Sequence, residues 1–189
     1  MRPLAAGVSF RSAPLEVRER LSVPREALPA VLRVLADALG QAVVVSTCNR
    51  AEFYTLARER GAAPRLRALL GAAFGLPPEV LEGSLYLHEG EACARHLFRV
   101  AAGLDSMVLG ETEVLGQVRD AFAAATAAGT VRGPLSRLFH HAFRVGRRVR
   151  RETALSRHAL SVGGLCVHLA RRVLRALEGV RVAVVGAGE

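Results

Sequence analysis

Two short apolar runs, Ala42 to Thr47 and Glu52 to Ala57, flank the polar segment Ser46-Thr47-Cys48-Asn49-Arg50, and this arrangement restricts the chain more than any other stretch. The first run is β-branched and the second alternates, so together they predict a hairpin with Cys48, Asn49 and Arg50 at its bend. Around it, Leu4 to Ser9 reads as a strand and Arg11 to Leu21 as a loop. Arg25 to Leu39 reads as a helix, because Leu28, Val31, Leu32 and Leu35 recur at helical spacing between Pro24 and Gly40, which suit its two ends. A second helix near Arg65 to Phe74 runs out at Gly75 and Pro77, and Ser84 to His88 forms a short strand. The order β-α-β-β-α-β predicts an α+β fold with a ferredoxin-like split βαβ sheet.

Beyond Gly90 the pattern becomes helical, with helices expected over Glu91 to Ala102, Gly110 to Ala128 and Pro134 to Glu152. In the last of these, Leu135, Leu138, Phe139, Ala142, Gly146 and Val149 form one apolar stripe. A further helix from Leu160 to Glu178 precedes Val180 to Val185, which reads as a buried strand of parallel type and opens onto Gly186, Ala187, Gly188 and Glu189. That helix and strand resemble the start of a Rossmann-type α/β domain. The change of pattern places a boundary near Thr153, dividing the sequence into residues 1–152 and 153–189.

The chain has 189 residues, enough for one full domain and part of another, and its 51% hydrophobic and 23% charged composition excludes disorder. A net charge of +9 points to a polyanionic partner, nucleic acid first. Every basic residue other than histidine is Arg; a GC-rich genome accounts for the missing Lys but not for the excess charge. The three cysteines, Cys48, Cys93 and Cys166, are far apart, which excludes a disulfide framework or zinc ribbon and fits a reducing cytosol. Without a signal-like N-terminus or eighteen uninterrupted apolar residues, the reading is a cytoplasmic protein with no membrane partner.

A cysteine at the end of a buried strand among Thr47, Asn49 and Arg50 has what a nucleophile needs. The reactive form is the thiolate, which a nearby guanidinium or hydrogen-bond donors favour. Arg50 is suited to that task, or to clamping a substrate carboxylate with paired hydrogen bonds. On local pattern alone, a small structural cysteine in a hairpin remains the alternative.

The stretch from His96-Leu97-Phe98-Arg99 through Gly103-Leu104-Asp105-Ser106 to Gly110-Glu111, continuing through Glu113 to Gly116-Gln117-Val118, resembles the signature of the glutamyl-tRNA reductase family. The segment around Cys48 is similar to that family's nucleophile motif, and Val184 to Glu189 resembles the opening of its NADPH domain. The three motifs stand in the family's order along the whole chain.

The resemblance implies a two-step reaction. Cys48 attacks the ester joining glutamate to its tRNA, and hydride from NADPH then releases glutamate 1-semialdehyde for tetrapyrrole synthesis. It implies an acid–base role for His96, which by itself reads as a histidine on the inner face of a helix. It implies substrate contacts at Thr47, Cys48, Asn49, Arg50, Ser106, Glu111, Thr112, Glu113 and Gln117, and cofactor contacts at Gly186, Ala187, Gly188 and Glu189. Arg50 suits the substrate carboxylate and Glu111 its α-ammonium. Two positions depart from the family: Glu113 stands where Gln is usual, and Phe10 where a histidine is usual. A strand leading into G-x-G is only the beginning of a phosphate-binding turn, so this stretch is expected to serve the acyl-transfer half alone. A homodimer and hand-over of the product to a glutamate-semialdehyde aminotransferase are further implications.

Arg144, Arg147, Arg148 and Arg151 fall on one helical face opposite the apolar stripe, compatible with tRNA phosphates and equally with a solvated surface. Cys93 and Cys166 read as core, and no histidine or cysteine spacing suggests a metal. The rival from another class is a non-catalytic basic tRNA-binding module with a structural Cys48.

Overall fold

A computed structural model describes residues 1–57, 61–156, 162–183 and 185. The chain divides into two compact units, Met1–Ala159 and Leu160–Glu189. The first is α+β, with strands β1 (Arg2–Ser9), β2 (Val43–Ser46), β3 (Arg50–Ala57) and β4 (Tyr86–Glu89). Its helices are α1 (Leu15–Leu21), α2 (Leu28–Leu39), α3 (Ala62–Phe74), α4 (Pro78–Ser84), α5 (Glu91–Ala102), α6 (Glu113–Ala127) and α7 (Gly133–Glu152), followed by a 3-10 turn at Ala154–Ser156. The strands form one four-stranded sheet in the order β2-β3-β1-β4. Every neighbouring pair is antiparallel, so β1 and β2 run parallel with β3 between them.

Strand β3 is buried along almost its whole length because both its faces are covered. Residues alternate between the faces of a strand. Phe53 points to one side and meets Phe74 of α3 at a ring separation of 5.6 Å, while Tyr54 points to the other and meets Phe139 of α7 at 5.3 Å. Arg50, Glu52 and Tyr54 therefore share the face under the later helices, where solvent is excluded. Helix α5 packs against α7 by a close backbone approach: a Cβ at Gly146 would lie 2.6 Å from the Ala101 carbonyl oxygen.

Several expectations meet the structure with changes. The Arg11 to Leu21 loop contains α1, whose Leu21 is fully buried beside the sheet. The first long helix begins at Leu28 with Pro29 in its first turn, while Pro24 belongs to the turn before it. It ends at Gly40, whose φ of 87° closes the helix in the left-handed region. Pro77 and Pro78 open α4 instead of only ending the previous helix. In the second unit α8 spans Val162–Leu174. Of the strand expected over Val180 to Val185, residues 180–183 and 185 are not in a strand, and Val182 and Val185 are exposed. A strand's backbone groups need a neighbouring strand to bond to, and the described residues hold no second sheet. Gly186, Ala187, Gly188 and Glu189, expected to contact cofactor, lie outside the described residues. Among the described residues, no helix is long and apolar enough to cross a membrane.

Candidate active site

Cys48 sits in the bend between β2 and β3 with its side chain exposed, whereas Cys93 of the same unit is buried. The Thr47 side-chain oxygen shapes this bend by accepting the backbone N–H groups of Asn49 and Arg50, each at 3.2 Å. The Thr47 N–H closes the turn onto the Arg50 carbonyl at 2.8 Å. Two outside groups brace it: Arg18 of α1 donates to the Cys48 carbonyl at 2.9 Å, and the Phe10 N–H donates to the Asn49 carbonyl at 3.0 Å. Phe10 thus supports the bend through its backbone, which any side chain permits.

Behind the bend lies a polar network centred on Glu52, a carboxylate with no exposed surface. Its Oε1 accepts from Arg50 at 2.6 Å and from the Tyr86 hydroxyl at 2.6 Å, and it lies 2.8 Å from His96 Nε2. Its Oε2 accepts from the Tyr54 hydroxyl at 2.6 Å. Burial pushes such a carboxyl up, but the Arg50 guanidinium and the hydrogen bonds from His96 and Tyr54 hold it well below the usual carboxylate range. Burial and the Glu52 charge push both tyrosine hydroxyls up, so they remain donors. Burial and the same charge push the Cys93 thiol up to about 12, which keeps it inert.

Gly7 makes this network reachable. It pairs with Glu52 on one side and Tyr86 on the other, so Tyr86 must cross β1 to meet Glu52. A Cβ on Gly7 would stand 2.9 Å from the Tyr86 hydroxyl and 2.9 Å from Glu52 Cγ. Only a residue without a side chain leaves that crossing open.

An ionised Glu52 can only accept, so its bond to His96 places a proton on Nε2. Nδ1 lies 3.8 Å from Asp105 Oδ2, beyond hydrogen-bond reach. Asp105 is held by Arg99, which donates to its two carboxylate oxygens at 2.8 and 3.2 Å, and burial is outweighed by that partner so that its carboxyl is held low. Arg50 also donates to the Asp105 carbonyl at 2.6 Å, tying the bend's strand to the loop after α5. The His88 ring packs against His96 at 4.6 Å, and burial together with that neighbour pushes the His88 imidazole down. His88, Glu91, Ala92, Arg95, His96, Arg99 and Asp105 line an open cleft of about 570 Å³.

The remaining expected residues cluster at the start of α6. Ser106 donates to the Glu111 carboxylate at 3.1 Å, and that carboxylate accepts the backbone N–H groups of Glu113 at 2.8 Å and Val114 at 3.1 Å. An acidic side chain in this place caps the helix and favours its dipole. Thr112 and Glu113 are exposed and Gln117 is half-buried one turn on. Arg50 and Glu111, suited by sequence to opposite ends of a substrate, are each already hydrogen-bonded within the chain. The structure thus joins Arg50 to His96 through Glu52, and Ser106 to Glu113 through Glu111.

Glu52, Tyr54, Tyr86 and His88 escaped the sequence reading. A signal was present in Arg50 and Glu52, opposite charges two residues apart on a strand otherwise apolar, which places both on one face. Nothing local marks Tyr86, whose partner Glu52 lies two strands away, or His88, whose ring neighbour His96 sits on α5.

A family model described as "Glutamyl-tRNAGlu reductase, N-terminal domain" matches residues 6–153. The glutamyl-tRNA reductase of Myxococcus xanthus is 49% identical over 189 residues, covering 100% of this chain and 42% of the relative. That of Rubrobacter xylanophilus is 47% identical over 97% of this chain and 43% of its own length. The chain thus spans well under half the length of these relatives. The solved glutamyl-tRNA reductase from Methanopyrus kandleri superimposes with a TM-score of 0.71 at 31% identity, covering 90% of this chain and 39% of that one. The braced cysteine bend and strands β2, β3 and β4 lie inside the matched residues, and the chain belongs to the glutamyl-tRNA reductase family, matching its N-terminal domain.

Proposed function

We propose that this chain performs the acyl-transfer half of glutamyl-tRNA reduction, with Cys48 as nucleophile. The observation that carries the reading is the exposed Cys48 thiol on a bend shaped by Thr47 and braced by Arg18 and the Phe10 N–H, with the Glu52–His96 network behind it. In the proposed step the Cys48 thiolate sulfur bonds to the glutamyl carbonyl carbon, the ester C–O bond breaks, and the tRNA leaves as a free ribose hydroxyl after gaining a proton. His96 is the proposed acid–base group, with Glu52 fixing its Nε2 proton and Asp105 Oδ2 3.8 Å from its Nδ1. Thr47, Asn49, Ser106, Thr112, Glu113 and Gln117 are the proposed substrate contacts. Arg50 and Glu111 are proposed to hold the two loops that present them.

Bound NADPH would supply the hydride that reduces the thioester to glutamate 1-semialdehyde and free thiolate in tetrapyrrole synthesis, and Gly186, Ala187, Gly188 and Glu189 would form the start of its site. A homodimer of the longer protein and transfer of the semialdehyde to an aminotransferase belong to the same reading. The strand order β2-β3-β1-β4 supports the split βαβ arrangement proposed for the sheet.

Incubation with tRNA carrying labelled glutamate tests the acyl step. The expected result is protein-bound label released by hydroxylamine and absent in Cys48→Ser. Ester cleavage and labelling unchanged in Cys48→Ser would overturn it and leave a tRNA-binding module with a structural cysteine.

A further inference from the structure

The outer face of α7 is lined by arginine and histidine along its length. From Ser136 to Arg151, every exposed position is arginine or histidine: Arg137, Arg144, Arg147, Arg148 and Arg151, with the pair His140 and His141. At ~100° per residue these side chains fall within an arc of about 120°, and at ~1.5 Å per residue they extend over about 21 Å. The opposite side of the helix carries the buried Leu135, Phe139, Ala142, Phe143 and Gly146. The acidic residue on the helix is Glu152 at its end, which pairs with Arg148 and Arg151.

We infer that this arginine face is the surface on which the RNA backbone of the substrate lies, an assignment that rests on the acyl-transfer reading above. The shape and spacing suit a row of phosphates, which guanidinium groups bind with paired hydrogen bonds. A membrane surface is the other polyanion of similar charge. Helices that lie on membranes set exposed aromatic or aliphatic side chains beside their basic face, whereas the exposed positions of this one carry none and its flanking Leu138, Val145 and Val149 are half-buried.

Its place in the fold links the face to the site. The buried side of α7 touches α5, which carries His96, at the close approach of Gly146 to Ala101. Arg150, on the same helix, donates to the Glu111 carbonyl at 2.8 Å, in the loop that presents Ser106. A backbone held along α7 is thus fixed relative to α5 and to the loop that presents Ser106. Contacts of this kind read no bases, so the face supplies affinity and register.

The test uses the Cys48→Ser chain, deacylated tRNA and fluorescence anisotropy across a salt series. The triple variant R144E/R147E/R148E should bind at least tenfold more weakly at low salt. Its slope of log affinity against log salt should flatten by about two, from the loss of three phosphate contacts at ~0.7–0.9 each. The control R2E/R25E/R33E makes the same change of net charge at exposed positions elsewhere and should bind within about threefold of the parent. Circular dichroism verifies folding of each variant. Failure of the parent to bind tRNA, equal losses in both triple variants, or an unaffected α7 variant overturns the assignment. So does tighter binding to phosphatidylcholine–phosphatidylglycerol vesicles than to tRNA. Label capture by Cys48 is measured separately, so an intact capture with an unaffected α7 variant rejects only the RNA face, and salt-sensitive binding through α7 without capture rejects only the acyl-transfer reading.

Discussion

The Arg50 guanidinium donates to the Glu52 carboxylate at 2.6 Å, with the two side chains 3% and 0% exposed. Two residues apart on one strand, they face the same side, and the helices over that face remove both charges from water. An ion pair so buried gains little net stability over apolar residues of the same volume, yet becomes costly when one partner is removed. Glu52→Ala is expected to lower unfolding free energy by about 3–5 kcal/mol. The double variant R50M/E52L is expected to lose less than Glu52→Ala alone. Urea titration of the three proteins checks this; equal losses in single and double variants would show that the pair is not the source of the cost.

The low Glu52 carboxyl sets an acid dependence. Between the unfolded value near ~4.3 and the depressed folded value, the unfolded chain binds the proton and the native state does not, so stability rises with pH in that window. The contribution is fully present above ~4.3 and is lost as pH falls toward the folded value. Asp105 acts in the same direction. Thermal melts from pH 6 to pH 3 should show a steeper fall for the parent than for Glu52→Gln.

His88 governs a second, higher window. Its folded imidazole is pushed down by burial and by His96, so the unfolded chain takes up the proton first as pH falls below ~6.5. Stability from this group is present above that value and is lost through the interval down to the folded one. His88→Gln should remove the dependence between pH 7 and 5 and leave the lower window unchanged.

Gly7 is expected to tolerate no side chain. Gly7→Ala places a methyl against the Tyr86 hydroxyl, Glu52 and the Ala51 carbonyl. Overpacking of this kind costs about 1–3 kcal/mol. Tyr86→Phe removes one hydrogen bond to a charged group, worth about 1.5–3 kcal/mol. If Gly7 acts by leaving room for Tyr86, the double variant should be less destabilised than the sum of the two singles; strict additivity in a double-mutant cycle would reject that explanation.

Thiol accessibility separates the three cysteines. Cys48 is exposed, as is Cys166, which by sequence reads as core, and Cys93 is buried with its thiol pushed up. Iodoacetamide at pH 8 should therefore modify two thiols in the native protein and the third only in denaturant. Peptide mass mapping identifies which, and native labelling of Cys93 would contradict its burial.

The sequence by itself determined the four strands, the five longer helices of the first unit and the cysteine at the hairpin bend, because each rests on local periodicity or on turn residues close together in the chain. It also carried the arginines of α7 onto one face, since 3.6-residue spacing is a local property. The short helices α1 and α4 were less legible, for helices of one or two turns have too few residues for a period to show. The tertiary structure alone decided the surroundings of Glu52. Gly7, Tyr86 and His96 reach it from 45 residues before to 44 residues after in the chain, and only sheet register and the packing of α5 and α7 over one face bring them together. Burial then turns an ordinary acidic residue into the fixed charge that positions Arg50 and His96, a change that no pattern of neighbouring residues encodes.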